Sequence, residues 1–180
     1  MKSTVEEIRS RFDGDVQRFS NLETGQAATM DARLCMELVT EAAARVTPGA
    51  RDLLDMGCGA GNYTLMMLRG IGTLNCTLLD LSLPMLQRAR ERVAAATSGT
   101  VLTLQADMRD VEFGETRFDV VVTAATLHHL RSDEEWRSLF KKIYRTLKPG
   151  GSFWIFDLVE QATAEVQALM WTRYGEYLSA

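Results

Sequence analysis

The chain has 180 residues, of which 46% are hydrophobic and 24% charged, and its net charge is -4. A domain of this size buries roughly 70% of the surface its unfolded chain exposes, so one substantial core is expected. A net negative charge argues against a broad nucleic-acid surface. No run approaches the roughly 20 apolar residues of a membrane span, and MKSTVEEIRSRF at the N-terminus lacks the apolar region of a signal peptide.

The three cysteines, Cys35, Cys58 and Cys76, are odd in number and match no zinc spacing. Reduced thiols, no metal and a cytoplasmic location are therefore expected. Residues 4–12 read as a short helix and 12–26 as loop or weak helix. This N-terminal helical or lid segment, 1–28, precedes a main domain, 29–180. Residues 29–46 predict an amphipathic helix with Leu34, Leu38, Val39 and Ala42 on one face.

An alternation follows. Strands are expected at 52–56, 75–80, 101–106, 118–124 and 151–158, and helices near 62–69, 83–96 and 132–147, with a polar connection at 108–117. Ser132 and Glu135 form an S-x-x-E capping box, and KPGG stops the helix that it opens. The strands are continuous apolar runs, as in a parallel sheet covered on both faces. The expected fold is an open, doubly wound α/β sheet, mostly parallel, with helices on both faces.

Ligands of such a sheet bind at the carboxyl ends of its strands, beside the first strand. There the sequence reads LLDMGCGAGN, and Gly57, Gly59 and Gly61 allow a tight turn and close approach to a guest. The dinucleotide fingerprint would need glycine at position 62, where Asn62 stands, and no P-loop motif occurs. Asp55 places an anion at the mouth of this loop, which repels a pyrophosphate and favours a cationic guest. S-adenosylmethionine carries a sulfonium and an ammonium and no phosphate. Asp80 ends the second strand, where a carboxylate can accept from both ribose hydroxyls. Asp107 follows the third, where a carboxylate can accept from an adenine amino group. Either acid alone reads as a cap or turn residue; three acids in succession at strand ends argue for a site.

DMGCGAG, LLDLS, QADM and AATLHHL together resemble the class I S-adenosylmethionine-dependent methyltransferases over about residues 29–158. The resemblance implies a Rossmann-like methyltransferase fold and methyl transfer to a small-molecule acceptor, with S-adenosylhomocysteine as product. It places Gly57, Gly59 and Gly61 along the methionine end of the cofactor, Asp55 near its amino group and Asp80 on the ribose. Leu81 and Met85 would pack near the adenosine, Asp107 and Met108 would frame the adenine, and Ala124 would lie under the cofactor. RFDGDVQRF and ALMWTRYGEYL are similar to a subgroup that includes the carboxy-S-adenosylmethionine synthases, which make a modified cofactor for tRNA wobble-uridine modification. Their glycine loop typically reads GCSLG, whereas this chain has GCGAG. A synthase-like enzyme and a non-catalytic cofactor-binding module remain alternatives; an NAD-dependent oxidoreductase is disfavoured by Asn62 and Asp55.

No fixed base is demanded, because a sulfonium is already activated and orientation supplies much of the barrier reduction. His128 and His129 follow the fourth strand on the acceptor side. They read as shaping the turn before the 132–147 helix, since neighbours on a regular element face different ways; one of them acting as base or substrate contact is the alternative. Trp171, Arg173 and Tyr174, with Met170 and Tyr177, read as a packing helix; a lid in which Arg173 meets an anionic group is the alternative. Phe12 and Phe19 would belong to the other part of such a lid. Arg88, Arg90 and Arg92, and Lys141, Lys142 and Arg145, read as solvated helix faces. The family fold usually continues with two further strands, which this sequence does not supply. GSFWIFDL would then be a bare apolar edge, so either a longer protein or a cover such as a second subunit is expected.

Overall fold

The computed structural model describes residues 3–21, 29 and 31–179. The elements, in chain order, are α1 (Val5–Asp13), α2 (Val16–Phe19), α3 (Ala32–Val46), β1 (Asp52–Met56), α4 (Asn62–Ile71), β2 (Asn75–Asp80), α5 (Leu83–Ala94), β3 (Val101–Gln105), β4 (Phe118–Ala124), a single 3-10 turn (Leu127–His129), α6 (Asp133–Thr146), β5 (Leu147–Phe156) and α7 (Ala164–Ser179). The sheet order is β3-β2-β1-β4-β5, with every pairing parallel. The chain builds outward from β1 to β3 and then crosses back to place β4 on the other side of β1. That reversal opens a crevice at the carboxyl ends of β1 and β4.

Alternating side chains of each central strand feed two cores. On one face Leu53, Leu78 and Val120 pack with Met36 and Ala43 of α3, Met67 of α4, and Leu86 and Ala89 of α5. On the other, Leu54, Leu79 and Val121 pack with Leu139 and Ile143 of α6 and with Phe113 of the 108–117 connection. Each such fully buried Leu or Val contributes about 1.5–3 kcal/mol. The doubly wound expectation holds, with three helices on one face and α6 with a loop on the other.

Several expectations are corrected. In α3 the buried residues are Ala32, Met36, Thr40 and Ala43, while Leu34 and Leu38 are exposed. The buried face packs on α4, where Gly70 faces Thr40 O and Ala44 Cβ, and, Met36 apart, it carries the smaller residues. KPGG ends α6 but lies inside β5, where a register shift between Phe118 and Val120 absorbs it. The weak helix of 12–26 is α2, and the part from 22 to 28 lies outside the described residues, as does the proposed boundary after residue 28. The capping box of α6 is half formed. Ser132 Oγ accepts from Glu135 N, but Glu135 Oε2 accepts from Arg131 N. A complete one, unnoticed in the sequence, opens α1 at Thr4 and Glu7.

β5 pairs on one side only, and its Ile155 is 43% exposed. α7 buries none of its residues, and Trp171 is 59% exposed. That segment departs from the sequence expectation: no residue of α7 is fully buried, none lines the crevice, and Arg173 pairs with Glu176 one turn on. Among the described residues no helix is long and apolar enough to cross a membrane.

Candidate functional site

A cleft of about 340 Å³ sits over the carboxyl ends of β1, β2 and β4. Its floor is the turn after β1. Gly57 N and Cys58 N both donate to Leu79 O, at 2.8 and 3.0 Å, and this ties the turn to β2. Gly57 adopts φ +72° and abuts Thr126 so closely that a Cβ would lie 2.5 Å from Thr126 Cγ2 and nearer still to its Oγ1. Gly59, at φ +49°, lines the cleft, and a Cβ there would meet no protein atom within 4 Å. Gly61 is the one predicted residue that does not line the cleft; it lets the turn pack on Val93 and Ala89 of α5.

Asp55 and Asp80 make the floor acidic. Asp55 is only 2% exposed, and its Oδ2 accepts from Thr64 Oγ1 at 2.6 Å. Burial, opposed by that hydrogen bond and reinforced by the nearby Asp80 charge, pushes its carboxyl up to about 7. Asp80 accepts from Gly59 N at 2.8 Å through Oδ2 and from Ser82 N at 2.9 Å through Oδ1. The carboxylate still keeps lone-pair capacity for a guest. Burial raises the Asp80 pKa, and backbone N–H groups of Ser82, Gly59 and Leu81 oppose the rise.

Leu81, Met85 and Met108 line the side of the cleft beyond Asp80, and Ala124 lines it at the end of β4. Asp107 also lines it, but its carboxylate is already gripped by Arg109. Oδ1 accepts from Arg109 N and Nε, each at 2.9 Å, and Oδ2 from Nη2 at 2.5 Å. Burial would raise the Asp107 pKa, but these bonds carry it below the ordinary carboxylate range. Only Oδ2 keeps a lone pair for a guest. Arg109 is steadied by Glu135 Oε1 at 3.0 Å, and Lys142 donates to Arg109 O at 2.7 Å. Lys142 is thus a structural tie rather than a solvated charge.

The roof is α1 and α2. Ser82 Oγ donates to Asp13 Oδ1 at 2.6 Å, and Arg88 Nε donates to Ser20 Oγ at 3.2 Å. Asn62 Nδ2 donates to Phe19 O at 3.0 Å, while its Oδ1 accepts from Arg92 at 2.8 Å. Arg92 also donates to Ala60 O, which corrects its reading as a solvated residue. The asparagine that breaks the dinucleotide fingerprint is the link between the glycine turn and the lid.

Three features escaped the sequence reading. Tyr63, 4% exposed, lines the cleft with part of its side chain, while its hydroxyl is buried in the core and has no hydrogen-bond partner among the described residues. An unpaired buried donor of this kind costs about 1–3 kcal/mol. Ala125, at φ +52°, is a strained residue on the cleft rim. Asp157, just after β5, accepts from Thr126 N at 3.0 Å and from His128 N at 3.2 Å, and its Oδ1 lies 2.6 Å from His128 Nδ1. Burial would raise the Asp157 pKa, but the bond to His128 and its charge bring it below the ordinary range. An ionised Asp157 only accepts, so His128 Nδ1 donates to it. Both histidines line the cleft, because a 3-10 turn rather than a regular strand presents them. The turn-shaping role expected of them is therefore not their whole role.

The Asp55 carboxyl makes a pH prediction. Its folded pKa lies above that of the unfolded chain. Stability from this group is therefore present at low pH and lost as pH rises from about 4 through about 7. Asp55→Asn should raise the stability of the ligand-free protein at pH 8 by on the order of 3 kcal/mol, read by denaturant unfolding, and should flatten that pH dependence. An unchanged profile would contradict the buried, proton-holding state.

Residues 53–151, more than half of the chain, match the model of the methyltransferase domain family. The chain is 37% identical over 128 residues to a carboxy-S-adenosyl-L-methionine synthase of Shewanella amazonensis, an alignment covering 69% of this chain and 51% of that protein. It thus spans about half the length of the curated relatives it matches. Among solved structures it is similar to Streptomyces venezuelae DesVI, with 28% identity, a TM-score of 0.59, and coverage of 74% of this chain and 53% of that one. The N-methyltransferase NodS of Bradyrhizobium japonicum, solved with S-adenosylhomocysteine, shares the fold at a TM-score of 0.63 and 19% identity, covering 79% of this chain and 70% of its own. With its glycine turn, its strand-end acids and this match, the chain belongs to the methyltransferase domain family.

Proposed function

We propose that the chain is an S-adenosylmethionine-dependent methyltransferase acting on a small-molecule acceptor. The observation that carries this reading is the acidic floor: Asp55 and Asp80 lie beside the glycine turn, where a dinucleotide would need its pyrophosphate. Asp55 pairs with the ammonium of the cofactor, and the free lone pairs of Asp80 accept from the ribose hydroxyls. Leu81, Met85 and Met108 flank the adenosine, Asp107 Oδ2 accepts from the adenine amino group, and Gly57, Gly59 and Ala124 leave the space. Gly61 acts through packing. When bound, the cofactor supplies a methyl group already activated by its sulfonium.

The chain's own part is to orient and to move a proton. α1 and α2 roof the cleft and exclude water from it. Asp157 fixes the orientation of the His128 ring at the cleft, where it serves as base or substrate contact for the acceptor. The exposed edge of β5 is where further sheet or a second subunit would add.

A second reading, a carboxy-S-adenosylmethionine synthase, is favoured by the relatives of that name. The two separate by mass spectrometry of the nucleoside that copurifies with the protein. S-adenosylmethionine or S-adenosylhomocysteine is the expected species; a nucleoside heavier by one carboxylate would overturn the methyltransferase reading.

A further inference from the structure

The cleft is polar in the electrical sense, with an acidic floor and a basic roof. Arg11, in the last turn of α1, and Arg18, in the last turn of α2, both line it. Each guanidinium is stacked on an aromatic ring: Arg11 lies 5.1 Å from the Phe12 centroid and Arg18 4.6 Å from that of Phe19. The two rings are themselves 5.5 Å apart, and His129 meets Phe12 edge-on at 6.4 Å. Among the described residues Arg11 has no carboxylate partner, and Arg18 has only Asp15 at 3.5 Å, too far for a strong hydrogen bond. Two cations held against one apolar wall, one without a carboxylate partner among the described residues and one only loosely paired, are complementary to a guest that brings negative charge. A guanidinium offers a planar fork that matches carboxylate and phosphate oxygens, and stacking on a ring leaves the fork edge available.

We propose that the acceptor half of the cleft binds a small molecule whose anionic group, a carboxylate or phosphate, sits between Arg11 and Arg18, with its apolar body against Phe12 and Phe19. This rests on the reading of the floor as the cofactor's seat. The competing source of negative charge is the cofactor's own carboxylate. That carboxylate shares one carbon with the ammonium paired to Asp55, so it stays at the floor beside the glycine turn. The roof is then left for the acceptor. The polarity also sets orientation: an anion at the roof and a cation at the floor keep the two guests from exchanging places.

The test is a calorimetric titration of benzoate, phenyl phosphate and neutral phenol, at constant ionic strength, into protein saturated with S-adenosylhomocysteine. At least one of the two anions should bind and phenol should not. In Arg11→Gln and Arg18→Gln, both changes on exposed helix faces, the anion affinity should fall about tenfold while S-adenosylhomocysteine affinity stays within about twofold. If neither anion binds, or if both variants bind it equally well, the proposal is overturned. It is also overturned if the variants lose S-adenosylhomocysteine affinity instead, which would assign the guanidiniums to the cofactor's carboxylate. Should S-adenosylhomocysteine itself fail to bind, the reading of the floor fails. The same anion titration on the ligand-free protein then still decides the role of the arginines.

Discussion

Gly57→Ala will lower the melting temperature strongly, and Gly59→Ala will not, although the two glycines are two residues apart in one turn. Both hold positive φ, which costs a residue with a Cβ roughly 1–2 kcal/mol. The difference lies in what the new methyl group meets. At position 57 it strikes Thr126, whose Oγ1 donates to Ala124 O at 2.9 Å and whose backbone is held by Asp157. Relieving that clash means breaking the junction between β4 and the 3-10 turn. A total cost on the order of 3 kcal/mol and a melting shift of roughly 6–12 °C follow. At position 59 the methyl group enters the cleft, where nothing lies within 4 Å. Stability should change by about 1 kcal/mol, while affinity for S-adenosylhomocysteine should drop about tenfold or more because the guest's space is taken. Thermal melts and calorimetry on both variants read the contrast. Equal melting temperatures would show that the Gly57–Thr126 contact does not constrain the turn.

Asp80→Ala should have the largest effect on ligand binding. The residue has two tasks: it orders the turn by accepting from Gly59 N and Ser82 N, and it presents its remaining lone pairs to the guest. A hydrogen bond to a charged group contributes about 1.5–3 kcal/mol, so losing two from ribose hydroxyls weakens S-adenosylhomocysteine by roughly 100-fold or more. The orphaned Gly59 N–H faces an open cleft and can be rehydrated, so the cost in stability should be the smaller part. Wild-type affinity in this variant, measured by calorimetry, would remove the ribose assignment.

What could be read from the sequence was what repeats or stops. β1, β2 and β4 carry the apolar stretches LL, LL and VVV, whose buried residues keep that pattern in the folded sheet. The acids at positions 55, 80 and 107 stand out because each lies at or close to the end of a strand. What could not be read depends on the crossing of distant segments. Asp157 meets His128 across 29 residues, and only the juxtaposition of β4 and β5 makes them neighbours. Asn62 registers in the sequence as a missing glycine, yet its function comes from Phe19, 43 residues away. Arg92 looked like a solvated charge because helical spacing cannot reveal that the glycine turn passes within its reach. The face of α3 was misjudged because it carries two apolar stripes, and the one with the smaller residues packs on α4. Asp107 lines the cleft, but the sequence does not show its carboxylate to be occupied, since its partner Arg109 lies two residues on in an unremarkable turn.

The account stands on the crevice beside β1 being a seat for a phosphate-free adenosine that carries a cation. The most direct measurement is calorimetry of S-adenosylhomocysteine and of NAD on the same preparation near pH 8, where Asp55 is ionised. Saturable one-to-one binding of S-adenosylhomocysteine, with no heat from NAD, is the predicted result. Binding of NAD with none of S-adenosylhomocysteine would contradict it.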